Sequence, residues 1–209
     1  MQRLPKKKSF KKVNMDERQL VSRIQQGDEM AFAEIVRSYK DKIVNYLWQL
    51  TGDYQRAVEL SQETFLRVFF KSRQYKPVAP FSSWIYAIAS NLAKTEMKKT
   101  RKMRTVSLEN VQPHVIFQEN ISNNESNSDL AQQLRKALDS LHPRYRIPVI
   151  LKDVEGFSQE EIAKMLNKPL GTIKARISRG RRFLRKELEK SSVKINFLNK
   201  RKENESGKV

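Results

Sequence analysis

Cysteine is absent from the 209 residues, which excludes disulfides, thiolate nucleophiles and Cys-containing zinc sites. Histidine is nearly as scarce. The two present, His114 and His142, lie far apart, neither stands in a metal-ligand spacing such as HExxH, and both read as ordinary loop or turn residues. No metal site is expected. Glycine is limited to six residues, with neither a GxGxxG nor a GxxxxGK[ST], so no phosphate-cradling loop and no cofactor are expected. Long apolar runs are missing too: no window approaches the roughly 20 residues that span a bilayer. Met1 to Asn14 is basic but has no apolar stretch behind it. Membrane insertion is not expected, and the cytoplasm is the expected location. Acid pairs such as Glu160-Glu161 sit in helical charge patterns, where solvated or ion-paired roles are commoner than general acid or base work. A non-enzyme with no small-molecule substrate is the expectation.

What the chain has in quantity is positive charge. Lys and Arg number 42 against 23 Asp and Glu, a formal net charge of +19. Such an excess favours a polyanion or an anionic membrane surface, and without membrane signals the polyanion is the better match.

Apolar spacing is helical almost throughout. From Asp16 to Lys102, Leu20 and Ile24, then Phe32, Ile35, Val36 and Tyr39, then Ile43, Leu47 and Leu50 recur at three and four. Gly27-Asp28 and Gly52-Asp53 interrupt the period, the glycine suited to the left-handed turn past a helix end and the aspartate to capping the next. A helix is predicted from about Tyr54 to Gln74, with Ala57, Leu60, Thr64, Phe65, Val68 and Phe69 inward. The prolines of YKPVAPFSSW then stop it, and Ser82 or Ser83 can cap a helix from about Trp84 to Lys99. In that helix Trp84, Ile88 and Leu92, with Ile85 and Ala89, make an inner stripe. Trp84 therefore reads as core rather than as a base-stacking platform. Asn91 lies off the stripe. Its amide offers donors and acceptors that suit a base drawn out of a duplex, the alternative being a plain solvated position.

Between Met103 and Ser128 the period lapses and Asn, Ser and Glu accumulate, as in a linker. Periodicity returns at Leu130, Leu134, Ala137, Leu138 and Leu141, pauses at His142-Pro143, and resumes through Ile147, Val149, Ile150 and Val154, with Pro148 early in the helix. Next comes GFSQEEIAKMLNKPLGTIKARISRGRRFLRKEL, Gly156 to Leu188. Ser158 and Glu161 have capping-box spacing, Ile162, Ala163 and Leu166 face inward, and Asn167-Lys168-Pro169 turns the chain. The following helix puts Ile173, Ile177 and Leu184 on one stripe and Lys174, Ser178, Arg181 and Arg185 on another, flanked by Arg179 and Arg182. That is the layout of a helix-turn-helix, whose second helix enters the major groove. A solvated amphipathic helix is the alternative, but such helices usually mix charge signs and Lys168 to Arg185 has no acidic residue.

Three stretches, in order, resemble one family, the bacterial RNA polymerase sigma factors of the sigma-70 type, extracytoplasmic-function group. LSQETFLRVFFK (Leu60 to Lys71) resembles the helix that grips the clamp helices of the largest polymerase subunit. FSSWIYAIASNLAKTEMKKTRK (Phe81 to Lys102) resembles the segment that opens and reads the minus-10 element, and the helix-turn-helix resembles the minus-35 reader. The resemblance implies an all-α fold of two small helical domains joined by a flexible linker. Residues 15–102 would form the first domain, 103–128 the linker and 129–190 the second, with a basic tail at 1–14 and another tail at 191–209.

The resemblance further implies polymerase contacts at Glu59, Gln62, Glu63 and Arg67, and minus-10 contacts at Asn91, Lys94, Thr95, Lys98, Lys99 and Arg101. Minus-35 contacts would fall at Thr172, Lys174, Ala175, Ser178, Arg179, Arg181 and Arg182. Implied partners are core polymerase, through its clamp helices and flap region, promoter DNA and an anti-sigma protein. The sequence departs from the family at Arg56 and Val58, where acidic residues are usual, at Thr95, where an acid is frequent, and at Asn167 and Lys168 in the turn. Two other functions compete: a stand-alone helix-turn-helix repressor or activator, which binds operators without polymerase, and a nucleic-acid-modifying enzyme, for which no nucleophile or metal constellation is present.

Overall fold

In a computed structural model the backbone is described for residues 15–107 and 125–206, and side chains for 17–103 and 131–190. Every regular element among the described residues is helical. The order is α1 (Met15–Gln25), α2 (Glu29–Thr51), α3 (Tyr54–Lys71), a 3-10 turn (Ser72–Gln74), α4 (Phe81–Ser107), α5 (Glu125–Ser140), α6 (Pro143–Asp153), α7 (Gln159–Met165) and α8 (Leu170–Ser206). The all-α, two-domain expectation holds. His114 lies outside the described residues.

The interruptions in the first domain are capped as their chemistry demands. Asp28 accepts from the Ala31 amide at 3.0 Å, and Asp53 accepts from the Arg56 amide at 2.9 Å, each satisfying a donor that a helix start leaves orphaned. Gly52 closes α2 at φ 75°, a conformation that glycine takes without a Cβ penalty. Around these caps α2, α3 and α4 enclose Ile35, Ile43, Leu47, Leu50, Leu60, Val68, Ile85 and Leu92, all buried. Tyr39, Tyr75, Phe81 and Trp84 pack edge to face or tilted at one end, with the Tyr75 ring centroid 5.6 Å from that of Phe81 and 5.2 Å from that of Trp84.

Two details of α4 differ from the sequence expectation. The helix begins at Phe81, so Ser82 and Ser83 sit inside its first turn and not at a cap before Trp84. The Ser83 amide bonds to Pro80 O, and its buried hydroxyl finds no partner among the described residues. Phe81 causes the early start, because its ring reaches into the aromatic cluster and draws its backbone into the helix. The buried stripe is rotated accordingly: Phe81, Ile85, Ala89, Leu92, Ala93 and Met97 form its centre, while Trp84 and Ile88 are half-buried at its flank. The helix also runs on to Ser107, past the predicted end near Lys99.

In the second domain His142 caps α6 by accepting from the Arg144 amide at 3.1 Å. Pro143 is the first helical residue, which leaves Pro148 in the body of α6 rather than at its start. Leu134 and Val154, expected inward, are exposed. Val154 is the C-cap residue of α6, still in the right-handed helical region but facing solvent, and inward packing at the end of α5 falls to Ala137 and, just past the helix, Leu141. The capping box is complete: Ser158 Oγ accepts from the Glu161 amide at 3.1 Å, and Glu161 accepts from the Ser158 amide at 2.8 Å. Asn167 holds φ 48° in the turn, and α8 then buries Ile173 and Ile177 against α6 and α7. Gly180 permits a close crossing of α8 on α6, since a Cβ there would lie 2.6 Å from Val149 Cγ2.

Candidate nucleic-acid and polymerase interface

One face of α4 is polar and open. Asn91, Lys94, Thr95, Lys98, Lys99 and Arg101 are all exposed, on the side opposite Ala89, Ala93 and Met97. Thr95 Oγ1 donates back to Asn91 O at 3.0 Å, which ties the threonine to its own helix. The Asn91 amide is carried on a helix clamped by its buried stripe, so it can meet a base edge with little ordering cost.

On α8, Lys174, Ser178, Arg179, Arg181 and Arg182 are exposed, while Thr172 and Ala175 are half-buried. Arg181 is already engaged: its guanidinium forms a fork with Asp153 of α6, with Nε 2.9 Å from Oδ2. That pairing raises the affinity of Arg181 for its proton and ties α8 to α6. Lys174, Ser178, Arg179 and Arg182 carry no such tie to α6, and together they make the open polar side of the helix.

Sequence reasoning missed a third basic region. His142 is exposed, and partial desolvation, then Arg101 of α4, Arg144 of α6 and Arg176 of α8, hold it below its ordinary pKa. The end of α4 thus comes near α6 and α8. No periodicity signals this, because the three arginines lie on three helices.

On α3, Glu59 and Gln62 are exposed, and Glu63 is paired with Arg67 at 2.6 Å. Arg56, at a position where the sequence departs from the family, bonds both to Glu59 and, at 2.7 Å, to Glu96 of α4. It therefore pins the outward side of α3 to the helix carrying Asn91. Between these charges stand Leu66, 56% exposed, and Phe70, 76% exposed. Sequence analysis did not single them out, although Gln62, Leu66 and Phe70 follow one another at i, i+4 on the side away from the core. Exposed apolar side chains set within a polar rim mark a surface that a protein partner can cover.

No helix among the described residues is long and apolar enough to cross a membrane.

Residues 35–103 match the family Sigma-70 region 2, and residues 131–184 match Sigma-70, region 4. The chain is 36% identical over 178 residues to the ECF RNA polymerase sigma factor SigE of Mycolicibacterium smegmatis, a match covering 79% of this chain and 66% of that protein. It is 31% identical over 180 residues to the ECF RNA polymerase sigma factor SigW of Bacillus subtilis, covering 80% of this chain and 94% of that one. In fold it is similar to the sigma factor RpoE of Bartonella quintana, solved in complex with the anti-sigma factor NepR. The TM-score is 0.61 at 23% identity, with 76% of this chain and 96% of that one covered. With both sigma-70 regions present in order, and a relative matched over nearly its whole length, the chain belongs to the ECF RNA polymerase sigma factors and is a sigma factor, not a stand-alone repressor or activator.

Proposed function

We propose that this sigma factor binds core RNA polymerase chiefly through the open face of α3, with Leu66 and Phe70 as apolar anchors and Glu59, Gln62, Glu63 and Arg67 as the polar rim. The flap region would be met by the second domain. Residues 15–102 act as the core-binding and minus-10 unit, 129–190 as the minus-35 unit and 103–128 as the linker between them. The observation that supports this best is the coexistence, on one chain, of two open basic helix faces and an apolar patch on a third helix.

In this reading Asn91 captures a base leaving the stack, and Lys94, Lys98, Lys99 and Arg101 hold the separated strand electrostatically, with Thr95 beside them. Unstacking costs a few kcal/mol per base step, which base capture and phosphate contacts can offset without ATP. Thr172, Lys174, Ala175, Ser178, Arg179, Arg181 and Arg182 line the minus-35 contact, the arginines and lysine taking phosphates or guanine edges. Arg181 must first exchange Asp153 for DNA, or act by holding α8 in place. An anti-sigma protein is a further expected partner, by analogy with the NepR complex of the Bartonella protein. The chemistry is binding and strand separation, with no catalytic residue.

The test is complex formation with and without core polymerase. Purified protein alone should leave promoter fragments unshifted in physiological salt, and the mixture with core polymerase should shift them. Tight operator-like binding by the protein alone, unchanged by polymerase, would refute the reading.

A further inference from the structure

The charge of α4 is almost all of one sign. Between Phe81 and Ser107 the helix has six lysines and arginines and a single acid, Glu96. Glu96 stands five residues past Asn91, about 7.5 Å along the axis at roughly 1.5 Å per residue. It is half-buried, at the border between Leu92, Ala93 and Met97 on the inner side and Thr95 and Lys99 on the open side. An ionised carboxylate at that border repels the phosphate strand that Lys94, Lys98 and Lys99 attract. Its charge is met from another helix.

Arg56 of α3 donates from Nη2 to Glu96 Oε2 at 2.7 Å, and from Nη1 to Glu59 of its own helix. The Arg56 Nε is buried and has no partner among the described residues, so its ion pairing runs through the two Nη atoms. The bond to Glu96 is the better shielded of the two, because the Glu96 side chain is 17% exposed and that of Glu59 49%. Shielded pairs are screened less by salt and water. In keeping with this, Glu96 acts more strongly than Glu59 in holding the proton on Arg56.

We propose that Arg56 is a positioning residue for promoter opening, which neutralises Glu96 beside the strand and ties the outward edge of α3 to α4, so that α4 presents Asn91 and its lysines without a repelling charge. This role rests on the proposed function, in which α4 is the minus-10 face and Glu59 belongs to the polymerase rim. The two faces are linked through the one guanidinium. A polymerase cation that pairs with Glu59 sets a like charge beside Arg56 and shifts the guanidinium toward Glu96. Polymerase binding thereby strengthens the bridge on which strand capture depends.

Removal of Arg56 acts with opposite signs at the two faces. Polymerase meets less competition for Glu59, and the promoter strand meets an unpaired acid. A residue that merely held the fold together would weaken both functions in step.

The test uses the full chain with core polymerase and a promoter fragment, and compares Arg56→Gln, Glu96→Gln and the variant with both changes. Arg56→Gln should slow strand opening by about five- to tenfold, read by permanganate reactivity of unpaired thymines, as loss of a shielded charge-assisted bond does. Affinity for core polymerase, measured by sedimentation, should stay at the wild-type value or rise. Glu96→Gln should open at close to the wild-type rate, since an uncharged amide oxygen can still accept from Arg56. Added to Arg56→Gln, it should restore most of the lost rate, a non-additivity expected of groups in contact. Circular dichroism checks folding, and Arg56→Lys serves if Arg56→Gln does not fold. Lacking the planar fork, lysine should slow opening by about two- to threefold, again relieved by Glu96→Gln. Unchanged opening in a folded Arg56 variant, polymerase affinity falling together with opening, or no recovery on adding Glu96→Gln would overturn the proposal. A wild type that neither binds core polymerase nor opens the promoter would overturn the proposed function itself, and the role of Arg56 with it.

Discussion

Arg146 of α6 donates to the main-chain oxygen of Leu50, in the last turn of α2, at 2.7 Å and across 96 residues of sequence. One side chain thereby closes the negative end of a helix in the other domain. Loss of that guanidinium leaves Leu50 O and the Asp139 carboxylate short of a partner. Arg146→Ala should destabilise the protein by about 2–3 kcal/mol, the range for buried bonds to a charged group. Thermal unfolding read by circular dichroism checks this. An unchanged midpoint would mean that the bond contributes nothing.

Gly180 lies at a close approach of α8 to α6. Alanine is the better helix former by up to about 1 kcal/mol, yet its Cβ would stand 2.6 Å from Val149 Cγ2. Overpacking of this kind costs about 1–3 kcal/mol, so Gly180→Ala should destabilise and Val149→Ala should partly rescue it. The pair is measured as a double-mutant cycle in urea. A more stable Gly180→Ala would show that the crossing relaxes freely.

Much of the frame is legible from residue types alone. Asp28, Asp53 and Ser158 cap because their side chains reach the orphan amides of a following helix, and Gly52 and Asn167 turn the chain because they tolerate positive φ. The start of α4 was misplaced because a serine signals a cap only when nothing stronger acts upstream, and the Phe81 ring does. The outward Leu66 and Phe70 escaped because periodicity ranks apolar residues as core. The Arg146 to Leu50 bond escaped because no local pattern encodes a contact between two domains. The Arg181 to Asp153 fork escaped for the same reason, since 28 residues separate the pair.

The α3 anchor separates binding from folding. Phe70 is 76% exposed and Leu66 56%, so Leu66→Glu and Phe70→Ala should leave the melting temperature within about 2 °C of wild type, as surface changes of under about 0.5 kcal/mol do. Either should weaken affinity for core polymerase by tenfold or more, as removal of an apolar hot spot costs about 2 kcal/mol. Sedimentation with labelled protein measures the affinities, and circular dichroism the melting temperatures. Unchanged affinity in the two variants would remove α3 as the anchor.

Acidity should act on His142 and Glu155 in opposite senses. His142, though exposed, is held below its ordinary pKa by partial desolvation and by Arg101, Arg144 and Arg176, so the folded protein disfavours its protonated form. Stability is therefore lost as pH falls below about 6.5 through the depressed value. Glu155 is raised by burial, against the Tyr86 hydrogen bond and Lys42. Its ionised form costs stability above that raised value, and the cost vanishes as pH falls through it. Melting curves between pH 7.5 and pH 5 should show a smaller acid loss in His142→Asn, which can still cap α6. Glu155→Gln should show a larger one. Identical pH profiles in all three proteins would contradict the assignment.

Within the proposed minus-10 face the lysines and Asn91 should do different work. Lys98→Ala or Lys99→Ala should weaken the polymerase-bound complex on all promoters alike and lower the salt dependence by about one counterion each. Asn91→Ala should leave closed-complex affinity nearly intact and slow strand opening, measured by permanganate reactivity of unpaired thymines. Equal opening rates for Asn91→Ala and wild type would remove Asn91 from base capture.

Run-off transcription by core polymerase on a promoter library bears most directly on the central claim. Wild type should yield transcripts from a defined subset, Arg179→Ala should weaken that subset through its upstream element, and omission of the factor should abolish it. Silence from a folded protein beside an active control sigma factor, or the same transcripts without it, would contradict the account.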